Sequence, residues 1–271
     1  MASLDVEAEL ALCGALADEA RRAVATRFRA GLIADNKLGG RAFDPVTEAD
    51  RAIEAAISAR LDAERPEDGR LGEEGASQDS RSGRTWVIDP IDGTRAFIAG
   101  LPTWCVLIAL CDETGPILSV IDQPVTGERF LGLDAGARKG AWLERGGQRE
   151  AISVSAEPDL VRAIGTTTDP YLFEAAERGA FEGVRDQARL VRYGLDAYGY
   201  AALAMGGLHF VVESGLKVWD IAALTPVVRG AGGVMTSWTG GDCHEGGHVL
   251  ASSDPALHEA LLTRLAPAAS R

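Results

Sequence analysis

The chain has 271 residues, of which 46% are apolar; 27 basic residues stand against 40 acidic ones, giving a net charge of −13. That is enough apolar matter for one large domain or two closely packed ones, and no low-complexity tract argues for disorder. A surface of this sign repels nucleic-acid backbones, and no apolar run approaches the roughly 18–20 residues that span a bilayer, so neither nucleic acid nor membrane is an expected partner.

In chain order, Leu4, Ala8, Leu12, Ala15, Leu16, Ala20, Ala23 and Val24 recur at helical spacing and predict an amphipathic helix over 4–29, with Gly31 just past its end. Thr47 as N-cap, with Glu48 and Asp50 in the first turn, predicts a second helix over 47–63 whose apolar stripe is Ala49, Ile53, Ala56, Ile57 and Leu61. Short β-type runs at 86–88, 105–110, 117–121 and 129–133, separated by turn residues at 112–115 and 124–127, predict an antiparallel meander. Past about residue 145, strands at 162–165, 189–191, 209–213, 234–236 and 249–251 alternate with helices over 170–180, 196–205, 220–230 and 254–265. The pattern predicts an α+β protein with two layered sheets, in an N-terminal half 1–145 and a C-terminal half 146–271. The N-terminus lacks the basic start and apolar block of a secretion signal, and Cys13, Cys105, Cys111 and Cys243 are scattered, so a cytoplasmic protein with reduced thiols is expected.

Chemistry concentrates at Trp86-Val87-Ile88-Asp89-Pro90-Ile91-Asp92-Gly93-Thr94. A buried strand ending at Asp89 places a carboxylate at the sheet edge, and Pro90 stiffens the turn that follows. Asp92 comes three residues later, so the two acids can converge, with the Ile91 carbonyl between them as a third oxygen. Gly93 permits close backbone approach, and the N–H groups of Gly93 and Thr94 can receive phosphate oxygens. An all-oxygen donor set suits Mg²⁺ better than zinc. Two further acidic segments accompany it: Gly72-Glu73-Glu74-Gly75, and Trp219-Asp220 opening an apolar helix. His244 and His248 are separated by Gly246-Gly247, so no helix puts them on one face and a zinc site is not expected there.

Gly72-Glu73-Glu74, the 89–94 run and Trp219-Asp220 resemble the signature elements of the inositol monophosphatase superfamily. Asp44-Pro45-Val46-Thr47-Glu48-Ala49-Asp50 is similar to its DxVTxxD segment, and Gly230-Ala231-Gly232-Gly233-Val234 to its glycine-rich stretch. The resemblance implies the layered αβαβα sandwich of the inositol monophosphatase and fructose-1,6-bisphosphatase type, commonly a homodimer. It makes Glu73, Asp89, Asp92, Asp220 and the Ile91 carbonyl ligands of two or three Mg²⁺ ions. It makes Asp50 and Thr94 a hydrogen-bonded pair that orients the attacking water, with Glu73 also catalytic, and leaves Glu74 outside the metal cage.

The substrate class that follows is a small-molecule phosphate ester. Gly194 and Asp196 fall where this family contacts its leaving group, and Glu213 precedes Asp220 by seven residues. Inositol-specific relatives usually carry a small residue where Asp196 stands, and two acids there favour a cationic alcohol over a neutral polyol. Arg95-Ala96-Phe97-Ile98-Ala99-Gly100-Leu101-Pro102-Thr103-Trp104 is similar to a stretch of the histidinol-phosphatase branch, as is Gly215-Leu216-Lys217. The expectation is hydrolysis of L-histidinol phosphate, a step of histidine biosynthesis. The alternatives are an inositol-1-phosphate or broad-specificity monophosphatase, and a catalytically silent metal-binding protein of the same fold.

Overall fold

The structure, a computed structural model, describes residues 4–30, 35–36, 45–75 and 77–269. Gly31 and Asp44, both invoked from the sequence, lie outside the described residues. Helix α1 (Val6–Val24) starts where the Asp5 carboxylate accepts the Ala8 N–H, and strands β1 (Asp35–Asn36) and β2 (Pro45–Val46) form a short antiparallel pair. Helix α2 (Glu48–Glu64) is capped by Thr47 as expected, its Oγ1 accepting the Ala49 N–H at 3.1 Å. Then come β3 (Gly69–Gly72), β4 (Ser77–Gln78), β5 (Thr85–Asp92), the short α3 (Thr94–Ile98), β6 (Cys105–Asp112), β7 (Gly115–Gln123), β8 (Glu128–Ala135), β9 (Arg138–Arg145) and β10 (Gln148–Ala151). The second half holds β11 (Ile164–Thr167), α4 (Ala175–Arg185), β12 (Leu190–Tyr193), α5 (Ala197–Ala204), β13 (Phe210–Leu216), α6 (Val218–Ala222), α7 (Leu224–Gly230), β14 (Val234–Thr236), β15 (Gly247–Ser252) and α8 (Pro255–Ala269).

An eight-stranded sheet runs in the order β10-β9-β8-β7-β6-β5-β3-β4, and a five-stranded one in the order β12-β11-β13-β15-β14. From β5 to β10 every neighbour pair is antiparallel, the meander expected from the sequence. Three cores separate the layers. Leu10, Leu16, Ile53 and Ile57 of α1 and α2 pack on Trp86, Ile88, Val106 and Ile108, one face of the large sheet. The opposite face (Val87, Leu107, Ile121, Phe130) meets α5, α6 and α7 and, beyond them, Val211, Val249 and Ala251 of the small sheet. The small sheet's outer face, with Phe210, Val212 and Leu250, is covered by Phe181 and Val184 of α4 and by Leu257, Leu261 and Leu265 of α8. The layering is therefore α/β/α/β/α. Burial on both faces explains why β6 reads as an unbroken apolar run from Cys105 to Leu110 rather than an alternating one. Helix α7 lies so close to the large sheet that a Cβ on Gly132 would strike the backbone of Pro226 and Val227.

Several elements depart from expectation. Helix α1 stops at Val24, and the turns that follow end at Arg29 with φ +60°, so the helix does not reach 29. The helix expected over 170–180 lies at 175–185. Asp169 accepts the Tyr171 N–H and holds Pro170 in a turn, whereas Glu177 reaches back to the Glu174 N–H and fixes the helix start. The single helix expected over 220–230 is two, α6 and α7, joined at Ala223. All four cysteines are free thiols.

Candidate active site

Strand β5 does not end at Asp89; it continues to Asp92 through a bulge. Asp89 pairs with Leu107 and Asp92 with Cys105, so three steps on β5 match two on β6. Residues three apart on a regular strand face opposite sides; the extra residue turns Asp89 and Asp92 to the same side. Pro90 suits the bulge because it has no N–H to pair, and Asp89 Oδ1 secures the bend by accepting the Ile91 N–H at 3.0 Å. Asp220, in the first turn of α6, accepts the Lys217 N–H at 2.7 Å, so it stands inside the helix rather than at its N-cap. Carboxylate oxygens of Asp89, Asp92 and Asp220 lie within 4.8 Å of one another. Glu73 follows β3, its N–H donating to the Ile88 carbonyl at 3.1 Å, and its carboxyl group hydrogen-bonds with that of Asp89.

Burial pushes the Asp89 carboxyl well up, and the charges of Glu73, Asp92 and Asp220 add to the shift. Asp92 is likewise raised, by burial first and then by Asp196 and Asp220. Four acids thus converge, and each charge makes the others harder to ionise. Such a set is electrostatically costly unless protons or a cation balance it. The donors are all hard oxygens, a fit for Mg²⁺.

Around this cluster the remaining expected residues fall as follows. Gly93 takes φ +81°, and Thr94 opens α3 and donates its hydroxyl to the Ile91 carbonyl at 3.0 Å. The expected Thr94–Asp50 hydrogen bond is not formed: Asp50 Oδ2 accepts the Thr47 hydroxyl at 2.6 Å and the Thr47 N–H at 2.8 Å, while its Oδ1 is buried without a partner. The capping box claims Asp50 locally; burial lifts its pKa to about 6 against these hydrogen bonds. The Glu74 N–H donates to the buried Glu54 at 2.9 Å, which anchors the loop that carries Glu73.

A cleft of about 1040 Å³ is lined by Asp92, Gly93, Thr94 and Asp220 together with Gly194, Asp196 and Glu213. Glu213, 5% exposed, accepts the Thr168 N–H at 2.7 Å, the Thr168 hydroxyl at 3.0 Å and the Thr167 hydroxyl at 3.2 Å. Burial nonetheless pushes it up to about 8. Asp196 stands at the N-cap position of α5 but makes no side-chain cap; its carboxyl group lies against Gly93, where an added Cβ would sit 3.0 Å from it. The left-handed backbone at position 93 favours glycine, and that contact adds to the preference. Burial raises Asp196 to about 6, with Arg95 opposing the shift. The Ala197 N–H that follows donates to Asp92 Oδ2 at 2.6 Å, which ties the second half of the chain directly to the acidic cluster.

Sequence reasoning did not single out Arg95, Thr168, Tyr171 and Arg185, which also line the cleft. A usable signal for Thr168 existed: Thr166-Thr167-Thr168-Asp169-Pro170 closes a strand of parallel type, and ligands gather at such carboxyl ends. His244 and His248 do not meet; His248 pairs with Glu177 at 2.6 Å and His244 with Asp242 at 3.3 Å.

An all-oxygen acidic cluster beside a cleft fits the class of metal-dependent phosphatases. The chain belongs to the inositol monophosphatase family, which it matches over residues 6–269. It is 37% identical to a histidinol-phosphatase of Mycobacterium tuberculosis over 260 residues, 95% of this chain and 97% of that one. A bifunctional phosphatase of Arabidopsis thaliana is 41% identical over 200 residues, 73% of this chain; the match spans 56% of that relative's length. Among solved structures, an inositol monophosphatase from Zymomonas mobilis superposes with a TM-score of 0.82 at 37% identity, covering 97% of this chain and 100% of that one.

Proposed function

We propose that the protein hydrolyses L-histidinol phosphate to L-histidinol and phosphate, using two or three Mg²⁺ ions held by Glu73, Asp89, Asp92, Asp220 and the Ile91 carbonyl. The observation that carries the choice of ester is the pair Asp196 and Glu213, which line the same cleft as Asp92 and Asp220. An ammonium group placed between them gains two carboxyl partners and favours their ionised forms against the burial that raises both, and a neutral polyol does neither. The similarity to the histidinol-phosphatase of M. tuberculosis supports the same reading.

Bound Mg²⁺ supplies the positive field that lowers the pKa of a water and offsets the dianionic phosphate. The chain's own groups do the rest. The amides of Gly93 and Thr94, at a helix start where N–H groups lack a partner four residues back, receive phosphate oxygens. Asp50 keeps one carboxylate oxygen uncommitted and has a pKa near 6, so with Thr94 and Glu73 it orients the attacking water and takes its proton. Attack is in line: the water oxygen forms the new P–O bond as the ester P–O bond breaks, and the leaving oxygen takes a proton from solvent in the open cleft to depart as the alcohol. No covalent phosphoenzyme is required. Asp196, Glu213 and Gly194 hold the alcohol. The halves 1–145 and 146–271 each supply part of this site, and the reading includes a cytoplasmic homodimer, to be checked by light scattering.

A substrate panel in Mg²⁺ tests the reading. Two charge-assisted contacts of roughly 1.5–3 kcal/mol each give histidinol phosphate a kcat/KM at least about a hundredfold above inositol 1-phosphate, and Asp196→Ala narrows that gap. Equal rates on the two esters would defeat the histidinol assignment. The result would favour an inositol-type or broad monophosphatase, the reading to which the likeness with the Z. mobilis enzyme lends weight.

A further inference from the structure

We propose that Tyr198 and Glu128 form a positioning strut that sets the place of Asp196 on the cleft wall; the inference rests on the substrate reading above. Asp196 has φ 49° and ψ −141°, a region that side chains rarely occupy, and Arg29 is the other non-glycine residue with positive φ among the described residues. A backbone held there must be over-determined by what surrounds it. One constraint follows Asp196 directly, the Ala197 N–H on Asp92 Oδ2 at 2.6 Å. Asp196 itself adds no cap, so the helix start does not hold its own first residue.

The second constraint is Tyr198. Its hydroxyl donates to Glu128 Oε2 at 2.7 Å, and its ring meets Phe130 edge-on with centroids 6.2 Å apart. Glu128, 7% exposed at the start of β8, is itself fixed by the Thr126 hydroxyl at 2.8 Å and by Arg145 at 3.1 Å. Burial and the neighbouring carboxylate keep the phenol protonated, so it stays a donor. Tyr198 does not line the cleft; whatever it does for the substrate it does through the first turn of α5. Losing the strut frees that turn to relax towards ordinary helical angles, which swings the Asp196 carboxyl group away from Gly93.

Tyr198→Phe removes one oxygen and keeps the ring. With Mg²⁺ saturating, KM for histidinol phosphate should rise about three- to tenfold, the range one hydrogen bond spans, with kcat within about twofold. The change for inositol 1-phosphate, which offers Asp196 no cation, should be smaller. Glu128→Gln keeps one acceptor oxygen for Tyr198 but loses the ion pair with Arg145, and should raise KM less than Tyr198→Phe does. A readout free of substrate is the Ala197 amide proton, which its short bond to Asp92 shifts downfield; in Tyr198→Phe it should move upfield while circular dichroism is unchanged. A variant that melts earlier but keeps both the KM ratio and the amide position overturns the strut. A wild-type enzyme with no preference between the esters overturns the substrate reading alone, and the amide shift then still decides on the strut.

Discussion

Asp92→Asn should separate stability from activity, with opposite signs. In the metal-free protein, oxygens of Asp89, Asp92 and Asp220 share a sphere of 4.8 Å. Two unit charges at that distance repel by about 3.5 kcal/mol at an effective dielectric near 20. Proton uptake by the raised Asp89 and Asp92 relieves part of this, so deleting one charge should recover about 1–3 kcal/mol. The amide oxygen of Asn can still accept the Ala197 N–H, so the seam between the halves is kept. Unfolding followed by circular dichroism in excess EDTA should give a Tm about 2–8 °C above wild type. In Mg²⁺ the order should reverse, because the wild type gains binding energy that the variant has lost. Phosphate release from histidinol phosphate should fall by orders of magnitude. A variant less stable than wild type in EDTA, or one that still turns over, would refute the view that these acids are a cation cage first and a structural network second.

The same logic sets a pH dependence. Asp50 and Asp196 near 6, Glu213 near 8, and the raised Asp89 and Asp92 all have folded values above the unfolded range near 4. The native state therefore binds more protons, and the stability of the metal-free protein should fall as pH rises from about 5 to 8.5. Urea midpoints in EDTA across that window check the sign; a rising midpoint contradicts it. Gly93→Ala puts a side chain at φ +81° and a Cβ 3.0 Å from the Asp196 carboxyl carbon. It should cost about 1–2 kcal/mol or more in urea unfolding and cut kcat/KM for histidinol phosphate, and wild-type behaviour in both would mean the contact is not real.

What could be read from the amino-acid order, and what could not, divides by the range of the interactions involved. Helix α2 was legible because Thr47 and Asp50 close a capping box within four residues, and the meander because β-type runs and turns alternate locally. Strands β9 and β10 escaped notice. The charges of Arg138, Lys139, Glu144 and Arg145 mask the strand pattern around Trp142, and β10 is an exposed edge. The two-helix break at Ala223 did leave a local mark that was passed over: Pro226 has no N–H to offer the carbonyl four residues back, so it belongs in the first turn of a new helix rather than inside a continuous one. At the site, residue types and spacing pointed to Asp89 and Asp92 but misjudged how they converge: a bulge set by pairing with β6 does the work that a turn was expected to do.

Asp196 shows the deeper limit. Its sequence context reads as an ordinary helix cap, yet its surroundings are set by Asp92, more than a hundred residues earlier, which accepts the N–H of the next residue, and by Gly93 against its carboxyl group. No window along the chain contains that information. On the proposed function, the bond between Ala197 and Asp92 makes the residue that would hold a cation the one that docks α5, so occupancy of the cage and the fit of the cleft wall would be linked. A cation that draws Asp92 towards Asp89 and Asp220 pulls on the N-terminus of the helix that carries Asp196. Substrate selectivity in this chain should therefore depend on the identity of the divalent ion, with an ion larger than Mg²⁺ weakening the preference for a cationic ester before it abolishes hydrolysis.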